Sequence, residues 1–212
     1  MKRKLFDEIA EGFKALADER EGKRTLRTHT VEVKPQAEGK RRPMKAAPRG
    51  RVLVPASASL RRLHGIIQKS MGWTNSHLHM FEIDGRQLGR PDPEGELYLE
   101  DDARWKLREF LVAPGDKLAY EYDFGDSWRH TILLEEVLEP AEAAGSTARC
   151  IAGSRACPPE DCGGIPGYQR FLEAILDPFH PEHREMREWA GGEFDSEAFD
   201  VAGANRRLSR TK

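Results

Sequence analysis

KLAYEYDFGDSWRHTILLEEV, residues 117–137, decides the fold of this chain. Every second residue of its first half is large and apolar: Leu118, Tyr120, Tyr122 and Phe124. The second half repeats the pattern with Trp128, His130, Ile132 and Leu134, and Gly125-Asp126 stands between them. Side chains on extended backbone alternate between two faces, so a two-residue period predicts strands with one face toward a core. The Gly-Asp pair supplies the turn that makes the two strands an antiparallel hairpin.

The same reasoning extends outward. In HLHMFEIDG, residues 77–85, His77, His79, Phe81 and Ile83 share one face, Leu78, Met80 and Glu82 share the other, and Asp84-Gly85 is a turn. The following RQLGRPDPEGE reads as a loop. RVLV, residues 51–54, is a short strand ended by Pro55, and TLRTHTVEV, residues 25–33, is a β-branched strand. Leu60, Leu63, Ile67 and Met71 recur at helical spacing, bordered by His64 and Ile66, with Ser57 or Ser59 as the N-cap. After a loop of small residues (139–149), further helices are expected over 167–176, 181–190 and 198–209. An amphipathic helix is expected over 2–20, with Leu5, Phe6, Ile9, Phe13 and Leu16 on its stripe. Strands and helices mix without regular alternation, which points to an α+β fold with a largely antiparallel sheet covered by helices.

The chain has 212 residues, 38% of them apolar and 33% charged, enough for one ordinary core plus an appendage. Nothing in it approaches the ~20 apolar residues of a membrane span, and its first residues lack the apolar run of a secretion signal. Three cysteines cannot all pair within one chain, so a reducing, cytoplasmic setting is expected. Charge is uneven. Residues 1–51 hold 15 Lys/Arg against 8 Asp/Glu, and the rest holds 19 against 28. The chain divides into a leader (1–33), a Pro- and Gly-containing basic linker (34–50) and a body (51–212). Lys40, Arg41, Arg42 and Lys45 in the linker are the nucleic-acid candidates. Without interleaved aromatics they would contact phosphates and read no sequence.

Three groups of residues suit chemistry. Cys157 and Cys162 are spaced within the range of zinc pairs, and Cys150 lies seven positions earlier. With His130, or with His77, His79 or Asp161, they would complete four zinc ligands, whereas the intervening Pro158-Pro159 and the following glycines read equally as a stiff turn. Asp123, Asp126 and His130 in the hairpin, with Glu160 and Asp161, form a candidate acid–base or metal cluster, weighed against ordinary turn aspartates. The triplet Asp123-Phe124-Gly125 is not that of a protein kinase, because no Gly-rich loop or catalytic loop accompanies it. His77 and His79 point one way on a strand, compatible with chelation.

Four stretches occur in a characteristic order: LHGIIQKSMGWTNSHLHMF (63–81), YEYDFGDSWRHTILLE (120–135), ACPPEDCGGIPGYQRFLEAILDP (156–178) and REWAGGEFDSEAFD (187–200). In this, residues 51–208 resemble the plasmid pRiA4b ORF-3-like family. The resemblance implies an α+β domain and an association with bacterial plasmids and mobile elements. It marks His64, Trp73, His77, His79, Asp123, Gly125, Asp126, Trp128, His130, Pro159, Glu160, Asp161, Gly163 and Gly164 without assigning them roles. It also implies that zinc is not general to the family, since some relatives carry an apolar residue at the place of Cys162. A resolvase label given to some members finds neither a nucleophilic serine near the N-terminus nor a helix-turn-helix here. Residues 1–33 resemble the leader of helix-turn-helix antitoxin-type regulators. They replace the family's usual first strand, so the sheet either lacks an edge, favouring self-association, or takes residues 25–33 in its place. The leading expectation is a non-enzymatic binding or interaction module. A metal-dependent enzyme built on the Asp/His/Glu cluster is the alternative, and a structural zinc module the third reading.

Overall fold

The computed structural model describes residues 25–33, 48–91, 98–138 and 147–210. The expected helix over 2–20 and the basic residues Lys40, Arg41, Arg42 and Lys45 lie outside them. One eight-stranded sheet organises the rest. Its strands are β1 (Thr25–Val33), β2 (Arg49–Leu53), β3 (His79–Ile83), β4 (Arg86–Gly89), β5 (Glu100–Asp101), β6 (Lys117–Tyr122), β7 (Trp128–Leu138) and β8 (Arg149–Ser154). The spatial order is β5-β4-β3-β6-β7-β1-β2-β8. Every pair is antiparallel except β4–β5, which is parallel, so the sheet is mixed rather than wholly antiparallel.

The β6–β7 hairpin has the register that the alternation demands, from Lys117 opposite Leu133 to Tyr122 opposite Trp128. Leu118, Tyr120, Tyr122, Trp128, His130, Ile132 and Leu134 are all buried, whereas Ala119 and Arg129 on the opposite face are exposed. Phe124 leaves the pattern because the chain has already entered the turn. Its neighbours Asp123 and Ser127 take positive φ, and Ser127 N–H closes the loop on the Asp123 carbonyl.

Helices α1 (Leu60–Met71), α2 (Gly164–Leu176), α3 (His183–Trp189) and α4 (Val201–Ser209) complete the fold. Ser59 caps α1 by accepting from Arg62 N–H, and Gly72 ends it in the left-handed conformation with its N–H on the Gln68 carbonyl. Leu60, Leu63 and Ile67 of α1 join Phe81, Tyr120, Tyr122 and Trp128 in a single core with Phe171 of α2 and Leu208 of α4.

Three local expectations are corrected. Residues 86–89 form strand β4, not loop, because Asp84 and Gly85 both take positive φ and turn the chain straight back onto β3. Arg149–Ser154, expected as the end of a loop and the start of the cysteine segment, is strand β8 paired to β2. Strand β1 fills an interior seat between β7 and β2 rather than an edge.

Candidate metal-ligand cleft

Three chain segments meet at one end of the sheet: the loop after α1 (73–78), the β6–β7 turn (123–127) and the Pro-Pro-Glu-Asp loop (158–161). Trp73 ties the first to the third by donating its indole N–H to the Pro158 carbonyl at 2.9 Å. Glu160 is the clasp. Its carboxylate accepts from Thr74 N–H (2.8 Å), Thr74 Oγ1 (2.6 Å) and the Tyr122 hydroxyl (2.6 Å). Burial works to raise the Glu160 pKa, but these donors outweigh it and hold the carboxyl below its ordinary range. The Tyr122 oxygen in turn accepts from the backbone N–H groups of Ser76 and His77. Asp126 holds the third segment to the second by accepting from Gly163 N–H at 3.1 Å. The approach is so close that a Cβ on Gly164, at φ +64°, would sit 2.5 Å from the Asp126 carbonyl oxygen.

This frame places His77, Asp123 and Asp161 together, with one ligand atom from each within 4.8 Å of the others. His77 Nε2 lies 2.9 Å from Asp161 Oδ1 and 3.7 Å from Asp123 Oδ2. The nitrogen is buried, yet neither oxygen lies on the line of a hydrogen bond from it. Ligands about 2.1 Å from one ion, at octahedral or tetrahedral angles, stand about 3.0–3.4 Å from each other. The observed separations bracket that range. One imidazole and two carboxylates suit a borderline cation such as Zn²⁺, Mn²⁺ or Fe²⁺.

His77 and Asp123 of the cluster line a cleft of about 760 Å³ together with Arg61, Arg90 and the buried rings of His64 and His79. Behind the lining residues His79 and Arg61, Asp102, 0% exposed, accepts from His79 Nε2 (2.9 Å) and Arg61 Nε (2.8 Å). Burial works to raise the Asp102 pKa, but His79 and then Arg61 overcome it, so the carboxylate is ionised and accepts only. His79 therefore carries its proton on Nε2, leaving Nδ1 without a hydrogen bond among the described residues. The His64 ring stacks on it at 3.5 Å between centroids, 6° from parallel. His64 belongs to a closed circuit. Its Nε2 donates to Asn75 Oδ1, Asn75 N–H donates to Gln68 Oε1, Gln68 Nε2 donates to the Tyr120 oxygen, and the Tyr120 hydroxyl donates to His64 Nδ1. Burial first, and then the neighbouring His79 imidazole, which disfavours a second positive charge beside it, pull the His64 pKa down to about 4, so the ring is neutral.

The cluster expected from the sequence is thus brought together in part. Asp123 and Asp161 meet, with His77 as their nitrogen partner. Asp126 and Glu160 adjoin them but are occupied in holding the loops. His130 is placed elsewhere, 2% exposed between Trp73 and Tyr120, with neither ring nitrogen bonded among the described residues, and burial pulls its pKa down to about 3. The cysteines do not join the cluster either. Cys150 lies in β8, its N–H on Asn205 Oδ1, while Cys157 lines a small apolar cavity beside Val52 and Phe199. Cys162 points to the Gly164 carbonyl. All three are free thiols, and burial pushes those of Cys157 and Cys162 up to about 12. Asp102, Arg61, Asn75 and Arg90 escaped the sequence reading. Asp102 sits in a short acidic stretch between weak elements, and nothing local distinguishes it from a surface acid.

Comparison with known proteins follows the same boundaries. Uncharacterized protein y4hQ of Sinorhizobium fredii (strain NBRC 101917 / NGR234) is 40% identical over 158 residues, spanning 74% of this chain and 80% of the relative. The crystal structure of MM3350, a protein of unknown function from Methanosarcina mazei Go1, matches with a TM-score of 0.71 at 30% identity, over 84% of this chain and 97% of that one. No helix among the described residues is long and apolar enough to cross a membrane. Residues 45–203 match the plasmid pRiA4b ORF-3-like protein model, and with it the four ordered motifs and the cleft they build place this chain in that family.

Proposed function

We propose that the cleft is a metal-dependent catalytic centre, with a divalent cation held by His77, Asp123 and Asp161. The observation that carries this reading is the convergence of three ligand atoms from three separate loops, within 4.8 Å of one another and close enough for small side-chain shifts to bring them onto one ion. Three protein ligands leave coordination positions open, as in catalytic rather than structural sites. The same cleft holds His79, oriented by Asp102 and with Nδ1 free, a fitting proton acceptor for a reaction at a polarised group. Asn75, Asp123, Ser127 and Asp161 all hold positive φ around the site, a concentration of backbone strain that functional loops keep.

The test is metal content and Mn²⁺ or Zn²⁺ titration of the purified full chain, beside His77→Ala and Asp123→Asn. One ion per chain, lost in both variants with the fold retained, is the expected result. Failure of Mn²⁺ and Zn²⁺ to bind the wild type, or binding unchanged in both variants, removes the proposal. Cysteine-held zinc predicts the opposite pattern, with metal lost in Cys162→Ser and kept in His77→Ala.

A second reading, an interaction module that self-associates, is supported by Leu176, Phe179 and Trp189, three large apolar side chains exposed around α2 and α3. Sedimentation of the wild type against Phe179→Ser tests it, and a monomer at all concentrations ends it. Phosphate contacts by Lys40, Arg41, Arg42 and Lys45 are a further part of this proposal. A salt-dependent loss of DNA binding on neutralising these four residues is its test.

A further inference from the structure

We propose that the ligand of the cleft is an organic oxyanion, which binds only after the cation and spans from it to Arg90. The inference rests on the metal reading above and adds the ligand class and the order of binding. It starts from the charges facing the space. Arg61 and Arg90 line the cleft together with Asp123. Arg61 is already engaged, with Nε on Asp102 and its terminal nitrogen on Asp101 at 2.7 Å. Arg90 is exposed and has no ion-pair or hydrogen-bond partner among the described residues.

Asp102, Asp123, Glu160 and Asp161, in and beside the cleft, outnumber the Arg61 and Arg90 guanidinium groups by two, while Asp101 is shared with Arg104. A metal-free cleft therefore repels an anion. A divalent cation cancels that excess and places a positive centre at one end, with Arg90 as a second, separate one. An oxyanion is the ligand that both ends recognise, because a guanidinium presents a planar fork to paired oxygens and a borderline cation takes oxygen in its open positions.

The apolar part follows from the rim. Leu78 is 49% exposed and Phe124 36% exposed, and both line the cleft between polar neighbours. Phe124 is held outward by the turn, whose Asp123 carboxylate takes the Gly125 and Asp126 N–H groups. A small inorganic anion would leave both side chains in water. An organic one would cover them, with burial of a ring enough to tighten binding by at least about tenfold.

The experiment uses the full chain and three titrations. Mn²⁺ alone is titrated first, and failure at that step strikes the metal reading rather than this one. Inorganic phosphate is then titrated with and without saturating Mn²⁺, and phenyl phosphate and benzoate with Mn²⁺. Phosphate should bind at least about tenfold tighter with Mn²⁺ than without it. Phenyl phosphate should bind about tenfold tighter again, and whether it or benzoate binds more tightly identifies the oxyanion as phosphate or carboxylate. Arg90→Gln should lose about tenfold in phosphate affinity at unchanged Mn²⁺ affinity, with Arg90→Lys retaining part of it. Equal phosphate affinity with and without Mn²⁺, indifference to Arg90→Gln, or no gain from the phenyl ring each overturns the proposal.

Discussion

Replacing His130 by Phe should remove about 2 kcal/mol of the acid sensitivity of this fold. His130 is 2% exposed, lies against Trp73 and Tyr120, and has no hydrogen bond at either nitrogen among the described residues. Burial pulls its pKa from 6.5 down to about 3. In the unfolded chain the ring takes up a proton near pH 6.5, whereas the folded chain refuses it until about pH 3. Between those values the unfolded state binds more protons, so stability rises with pH and falls on acidification. At pH 5 the ring is roughly 1.5 units below its unfolded pKa, and each unit is worth about 1.4 kcal/mol. A phenyl ring carries no proton, so the variant escapes this loss. Its larger volume shifts absolute stability, but that shift is present at both pH values and drops out of the difference. The assay is urea unfolding of both proteins at pH 8 and pH 5, with linear extrapolation. An identical loss of stability between the two pH values in wild type and His130→Phe would refute the reasoning, and with it the neutral, unbonded state of the ring. His64, pulled down to about 4, adds to the same acid sensitivity but is unsuited to this test, because removing it opens the hydrogen-bonded circuit around it.

Two substitutions probe the frame of the cleft. Tyr122→Phe removes the hydroxyl that donates to Glu160 and accepts from Ser76 and His77, and should cost about 1–3 kcal/mol by thermal unfolding while weakening Mn²⁺ binding severalfold. Gly164→Ala sets a Cβ 2.5 Å from the Asp126 carbonyl oxygen, whereas Gly85→Ala, at a similar positive φ, meets open space. Unfolding of both variants should show Gly164→Ala the less stable by about 1–3 kcal/mol, and equal stabilities would mean that the loops are not seated together as described.

The parts of the fold legible in the sequence are those with a strong local period. The β6–β7 hairpin, the face of β3 that carries His79, Phe81 and Ile83, and the buried stripe of α1 each state their burial by spacing alone. Strands β4 and β5 are four and two residues long, too short for a period to stand out from noise, and β8 has no alternating burial to read. Asp84-Gly85 nonetheless predicts a return strand, because a tight turn implies a second arm. The site was legible in its residue types and less so in its membership. His77 and His79 point into one cleft, yet they serve different acids, Asp161 and Asp102, which follow them in sequence at very different distances. His130 looked like their equal because polar residues at buried strand positions look alike in sequence, and only three-dimensional neighbours separate a ligand from a caged ring. The cysteines are near one another in sequence, but no cluster of three metal-ligand atoms among the described residues includes one of them.

Strand β1 carries a further consequence for where this domain begins. It pairs with β7 from Thr25 opposite Leu138 to Val33 opposite His130, and on its other side with β2 from Arg27 opposite Leu53 to Glu32 opposite Arg49. Among the described strands, β2 and β8 reach the rest of the sheet only through it. Residues 34–48 therefore connect two neighbouring antiparallel strands, with both ends of the basic stretch pinned to the sheet. A chain shortened to residues 48–212 would leave the hydrogen-bonding edges of β7 and β2 unpaired, and unpaired edges invite association. It should lose its single cooperative unfolding transition or precipitate, as judged by urea unfolding and sedimentation beside the full chain. A shortened chain that stays monomeric and unfolds at the full chain's midpoint would show that β1 is dispensable and that the body closes its own sheet. In that case the basic stretch would be a true linker. If the shortened chain fails, the stretch that holds Lys40, Arg41, Arg42 and Lys45 joins two strands that the domain needs, and it belongs to the domain rather than to an appendage.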